Sequence, residues 1–375
     1  MRIPRYYADL GKYLRQRKVL VLYGPRQVGK TTLLEDYLHS TPLRWRLDSG
    51  DDVRIREVLG SQDLVRLREY VQGYDLVAID EAQRIPQIGQ GLKLIVDHLP
   101  EARVIATGSS SFELAGQVGE PLTGRKVTLT LYPVSQIELG SLYNPFDLKS
   151  RVEEFLVFGG YPEVVGVQGR TEKIRILSEL AGSYLLKDIL ELDRIRNPKA
   201  LLDLLRLLAF QVGKEVSLNE LGTQLGIDYK TVGRYIDLLE KSFVIYSLRG
   251  YSRNLRKAIS KKSKYYYYDN GIRNAVIANF NRLELRDDVG RLWENFLFME
   301  RLKKQAYHGI QANNYFWRTW SGNEIDLVEE REGKLFGYEL KWGDRMLKAP
   351  REWAGTYPEA QFAVVNRESY LEFVT

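Results

Sequence analysis

"LYGPRQVGKTTLL", residues 22–34, decides how the chain is read. Gly24-Pro25-Arg26-Gln27-Val28-Gly29-Lys30-Thr31 is a complete G-x-x-x-x-G-K-T, with Thr32 opening the next turn. A phosphate-binding loop needs each part. The glycines let backbone N–H groups turn inward around phosphate oxygens. Lys30 reaches the β- and γ-phosphates, and the Thr31 hydroxyl ligates Mg²⁺. Upstream, "VLVLY" (19–23) is a β-rich run; downstream, "TTLLEDYL" begins a helical pattern whose N-terminus faces the phosphates. Strand, loop and helix are the context this motif requires.

Two further runs extend the pattern. "YDLVAIDEAQ" (74–83) reads as a buried parallel strand ending in Asp80-Glu81. At the C-terminal edge of a doubly wound sheet, Asp80 would hold Mg²⁺ through water, and Glu81 would orient or deprotonate the attacking water. "ARVIATGSSS" (102–111) is a third strand, ending in Thr107, Gly108, Ser109 and Ser110. A hydroxyl here touches the γ-phosphate or the water, and Ser109 is assigned to the nucleotide-binding set. The same hydroxyls can equally cap a strand end.

Three strand–helix units over residues 16–130 make a P-loop NTPase core. Here the sequence resembles the AAA-type ATPases that carry "GPRQVGKTT", "DEAQ" and "TGSS", joined to a C-terminal region of the DUF4143 type. "LTGRKVTLTLYPVS" (122–135) and "FGGYPEV" (158–164) also look like that family. The resemblance implies ATP and Mg²⁺ as cofactors; no N-K-x-D guanine-reading element is present. It also implies a homo-oligomer, such as a hexameric ring, with an arginine supplied in trans. Arg125 in "TGR" is the first candidate for that arginine and Arg26 the second. Either can also be an ordinary ion-pair arginine.

Residues 133–196 read as a helical lid, with a long amphipathic helix over 171–192. Residues 197–268 read as a winged helix-turn-helix. Ser217 and Glu220 form a capping box, 226–227 the turn, and Asp228 the next cap. Val232, Ile236 and Leu239, flanked by Leu238, make the core stripe. Tyr229, Lys230, Thr231 and Arg234 then face outward, where a recognition helix meets the major groove. From 249 to 264 there are seven Lys or Arg and no acid. That density points to DNA phosphates; a solvated loop beside a purely structural winged helix has the same charges. The tyrosines at 265–268 read as a strand with alternate burial.

Residues 269–375 resemble the PD-(D/E)xK nuclease fold. Asp326 lies on one predicted strand, Glu339 and Lys341 share a face of the next, and Glu294 stands near the start of a helix. The resemblance implies a second metal site at Asp326 and Glu339, with Lys341 steadying the attacking water and Glu294 as accessory acid. Ile325 stands where the motif has proline. The same residues also suit a nuclease-derived fold used for DNA binding or assembly.

The whole is therefore expected to be α/β: a P-loop core (1–132) with a lid (133–196), a winged helix (197–268) and a nuclease-like α/β domain (269–375). The 375 residues are 44% hydrophobic and 28% charged, with net charge +6 and pI near 9.1. No cysteine is present, which excludes disulfides and thiolate metal sites. No apolar run is long enough for a membrane span, and the N-terminus does not read as a signal peptide, so a cytoplasmic setting is expected. The leading functional expectation is an ATP-driven DNA-binding motor that remodels, unwinds or migrates along duplex or branched DNA. An ATP-gated endonuclease and a regulatory NTPase switch are the alternatives.

Overall fold

The computed structural model describes residues 2–108, 122–184, 195, 197–252, 262–344 and 347–375. It divides into two compact units. Arg5–Tyr132 form the first, which also takes in Lys241–Phe243; Pro133–Glu240 and Val244–Thr375 form the second.

In the first unit, the run Val19–Tyr23 is apolar at every position and forms β1, buried throughout. Such a run suits a parallel strand covered on both faces. It is followed by α1 (Lys30–Ser40), β2 (Trp45–Ser49), α2 (Val53–Leu59), α3 (Leu64–Val71), β3 (Leu76–Asp80), α4 (Ile88–His98), β4 (Arg103–Gly108) and β5 (Lys126–Thr130). The strands are all parallel, in the order β2-β3-β4-β1-β5. Because β4 is inserted between β1 and β3, the C-terminal ends of these three strands lie side by side. That edge, where strand order reverses, is where α/β sheets bind ligands. Gly24 leaves β1 with φ +149°, and a Cβ there would lie 2.0 Å from Leu131 O, so only glycine lets the loop pass β5.

The second unit begins with α5 (Gln136–Leu139), α6 (Pro145–Phe158), α7 (Pro162–Gly166) and α8 (Arg170–Glu179). Ser135 opens α5 with a capping box to Glu138. The helix expected over 171–192 is α8, continued by a π-helical turn at Leu180–Tyr184; its remainder, 185–192, lies outside the described residues. Next come α9 (Pro198–Phe210), β6 (Glu215–Val216), α10 (Leu218–Leu225), α11 (Tyr229–Lys241), β7 (Ile245–Gly250) and β8 (Ser263–Tyr267), a helix-turn-helix with a β-wing. The C-terminal part runs α12 (Asn270–Val276), α13 (Val289–His308), β9 (Asn313–Arg318), β10 (Glu324–Arg331), β11 (Lys334–Leu340), α14 (Arg351–Thr356), β12 (Gln361–Val365) and α15 (Tyr370–Val374).

The division expected at 268–269 falls inside one sheet. β7 pairs parallel with β9, so the wing and the C-terminal strands form a continuous β12-β11-β10-β9-β7-β8-β6. This changes the tyrosine run as well. Tyr265, Tyr266 and Tyr267 are all buried, not alternately, because β8 is interior and covered on both faces. Tyr266 packs on Phe298 of α13, while Tyr267 Oη donates to Leu205 O of α9, 2.6 Å away.

The segment expected to be a separate lid also packs within this unit. Asp269, fully buried, accepts from Gly160 N at 2.7 Å and caps α12 through Ile272 N at 3.1 Å. Gly159 has φ +72°, and a Cβ on it would lie 2.0 Å from Asp269 Oδ1. Gly159→Ala therefore combines left-handed strain with overpacking. It should destabilise the fold by on the order of 3 kcal/mol, read as a lower urea midpoint at unchanged slope.

Candidate functional site

The candidate site lies at the C-terminal edge of the first sheet. Gly24, Pro25, Arg26, Gln27, Val28 and Gly29 form the turn from β1 to α1, and Lys30, Thr31 and Thr32 are the first residues of α1. Lys30 is buried, and its ammonium donates to Gly24 O at 2.9 Å and Pro25 O at 2.7 Å. Thr31 Oγ1 donates to Asp80 Oδ2 at 2.8 Å. Thr107, on the intervening β4, donates to the other oxygen of Asp80. It also accepts from Glu81 N at 3.3 Å. Glu81 follows β3 in the left-handed region at φ +49°, and Gln83 donates to its carboxylate. Lys30, Thr31, Asp80 and Glu81 are thus brought to one edge. Ser109 lies outside the described residues.

The donor set at Thr31 and Asp80 is hard oxygen, which fits Mg²⁺ held mainly by phosphates and water. Bound there, Mg²⁺–ATP would supply the phosphoanhydride and the charge neutralisation that phosphoryl transfer needs. Of two further contributors, the sequence named one without singling it out and missed the other. Thr107 was one of several strand-end hydroxyls, and only the insertion of β4 singles it out. Arg5 donates to Val28 O at 2.5 Å and to Tyr132 O at 2.6 Å, tying the loop to the end of β5. Its contacts lie 23 and 127 residues away, and no local pattern signals them.

Arg125 occupies the opposite edge of the sheet. Its carbonyl accepts from Val19 N, at the start of β1, so it does not serve its own loop. Its guanidinium donates to Asp97 Oδ1 at 2.6 Å and holds that carboxyl below the usual range.

The second set of expected residues meets in the other unit. Lys341 lies 2.6 Å from Glu339 and 3.8 Å from Asp326, which also accepts from Leu340 N at 2.9 Å and lies 3.9 Å from Lys264. Glu294, on α13, accepts from Tyr266 Oη at 2.6 Å and Lys264 Nζ at 3.2 Å. Burial pushes Glu294 up to about 7 and also raises Glu339. Lys264 was absent from the sequence assignment of this cluster. Burial alone would lower its pKa, but the charges of Glu294, Asp326 and Glu324 raise it. Among the described residues, no group of three or more Asp, Glu, His or Cys is disposed to hold a metal ion. The carboxylates expected to hold a second metal are here paired with Lys264 and Lys341.

On α11, Tyr229, Lys230 and Arg234 are exposed, while Val232, Ile236, Leu238 and Leu239 are buried. Of the seven basic residues at 249–264, Arg249 is exposed, Lys262 pairs with Glu220, and Lys264 is buried. The other four lie outside the described residues. No helix among the described residues is long and apolar enough to cross a membrane.

Comparison with known proteins covers the same regions. Residues 16–140 match the AAA domain model, 149–283 a domain of unknown function, DUF8612, and 289–373 a second, DUF4143. An uncharacterized protein of Mycobacterium tuberculosis is 28% identical over 89% of this chain and 72% of its own length. An uncharacterized protein of Methanocaldococcus jannaschii is 24% identical over 88% of this chain and 77% of its own. Among solved structures, a signal transduction ATPase with a tetratricopeptide repeat sensor from Pyrococcus horikoshii is 13% identical, with TM-score 0.30. The match covers 77% of this chain and 44% of that one. The first match agrees with the phosphate-loop geometry: the chain carries an AAA domain followed by a C-terminal DUF4143 domain.

Proposed function

We propose that the chain hydrolyses ATP to drive a DNA-binding motor that acts on duplex or branched DNA. The observation that carries the DNA reading is the open face of α11. Tyr229 is 51% exposed there, beside a cavity of about 860 Å³ lined by Arg249, Tyr251, Arg318 and Trp320. Trp320 is fully exposed. Cationic side chains interleaved with aromatic ones suit a polyanion with stackable bases. In hydrolysis, Lys30 steadies the phosphates and Thr31 and Asp80 hold Mg²⁺. Glu81 takes the proton of the attacking water, with Thr107 fixing the Asp80–Glu81 backbone.

The test is the steady-state ATPase rate with no DNA, single strands, duplex and four-way junctions, with Lys30→Ala as blank. Strong stimulation by one form is expected. A rate indifferent to every form would sink the motor and leave the second reading, a regulatory NTPase switch. The pairing of Arg125 with Asp97 favours that switch, because an arginine held in cis must be released before it can complete a neighbour's site. Mixing Lys30→Ala with Arg125→Ala tests the homo-oligomer. Each alone should be inactive, and the mixture should regain a measurable fraction of wild-type turnover. No recovery on mixing excludes Arg125 as the trans residue.

A further inference from the structure

The C-terminal domain holds four carboxylates in one cluster: Glu294 from α13, Glu324 and Asp326 from β10, and Glu339 from β11. Like charges packed this closely need a cation, and in a metal enzyme of this layout that cation is divalent. Here the chain carries its own. Lys264 enters from β8 and is only 2% exposed. Its Nζ lies over the Phe316 ring, 5.5 Å from the centroid. The ammonium contacts Glu294 at 3.2 Å, Glu324 more closely, and Asp326 at 3.9 Å.

We propose that Lys264 is the resident cation of this cluster, replacing a divalent metal and fastening the wing strand to the C-terminal domain. The geometry excludes both together. Mg²⁺ requires oxygens at about 2.0–2.1 Å in octahedral array. The ammonium stands among Glu294 Oε1, Glu324 Oε1 and Asp326 Oδ1, in the space that a cation shared by these carboxylates would need. The remaining pair, Asp326 and Glu339, is bridged by Lys341, and Asp326 Oδ2 is taken by Leu340 N. Lys264 does what a structural metal does in a small domain: it joins elements distant in sequence through one charge. This is independent of the DNA-motor reading and bears on the endonuclease alternative, which needs the metal.

The test uses the full chain in an Asp80→Asn background, so that the nucleotide site contributes no metal binding, with Mn²⁺ as the probe. Without nucleotide, the chain should take up no Mn²⁺ by titration calorimetry, and its melting temperature should not respond to the ion. Lys264→Met should melt roughly 10 °C lower, as loss of a buried counter-charge implies. It should also gain one Mn²⁺ site at least about tenfold tighter than any in the parent, with partial recovery of the melting temperature. If Lys264→Met does not fold, Lys264→Arg, which keeps the cation, should fold and remain blind to Mn²⁺. Stoichiometric Mn²⁺ binding by the parent chain, lost on Asp326→Asn, would overturn the proposal. So would Lys264→Met melting like the parent.

Discussion

Glu81→Gln is expected to lower ATP turnover by about 10²–10⁴-fold while Mg²⁺–ATP still binds. The substitution keeps the size of the side chain and its position after β3, and leaves Thr31–Asp80 at 2.8 Å and Lys30 in place. What it removes is the carboxylate proposed to take a proton from water. Glu81 is suited to that role because its backbone is pinned by Thr107 and its carboxylate is held by Gln83. Lys30→Ala should behave differently, losing nucleotide affinity and turnover together, because the phosphates lose their cation. Equilibrium binding of a fluorescent ATP analogue, measured beside turnover, separates the two. If Glu81→Gln turns over ATP at the wild-type rate, the water is activated by another group and the assignment fails.

What could be read in the sequence was what local chemistry decides. The phosphate loop, the Asp80–Glu81 strand end and the Ser217–Glu220 box all depend on residues a few positions apart. The box closes as expected, with Glu220 N on Ser217 Oγ at 3.1 Å. Asp228 likewise accepts from Lys230 N and Thr231 N at 3.0 Å each. The apolar stripe of α11 followed from period alone. What escaped depends on strand order. Thr107 matters only because β4 lies between β1 and β3. Lys264 looked like one more solvated cation in a basic run. Its partners Glu294 and Glu324 are 30 and 60 positions away, and only the β7–β9 pairing brings β8 into the same sheet as β10. The pattern of seven basic residues was real as composition, but burial had already committed one of them to carboxylates.

The same limit applied to Asp288, which no motif marked, and it yields the largest stability effect expected in the chain. Asp288 receives Arg273 Nη1 at 2.5 Å, and Arg286 Nε and Nη2 at 2.7 and 2.8 Å. Both arginine side chains are almost fully buried, at 2% and 0% exposed. Asp288→Asn leaves two buried guanidinium groups with no carboxylate between them. Breaking such a cluster from one side should cost about 3–5 kcal/mol, far more than a surface pair. Burial alone would raise the Asp288 pKa. The hydrogen bond from Arg286 and the charges of Arg273 and Arg286 outweigh it and hold the group at about 2. A carboxyl depressed in the folded state adds stability that is complete above its unfolded value of about 3.9 and is lost as pH falls through the folded value. The gap between wild type and Asp288→Asn in urea denaturation should therefore be constant above about pH 5 and shrink between about pH 4 and 2. A gap that holds its size down to pH 2 would mean that the substitution acts through packing and not through charge.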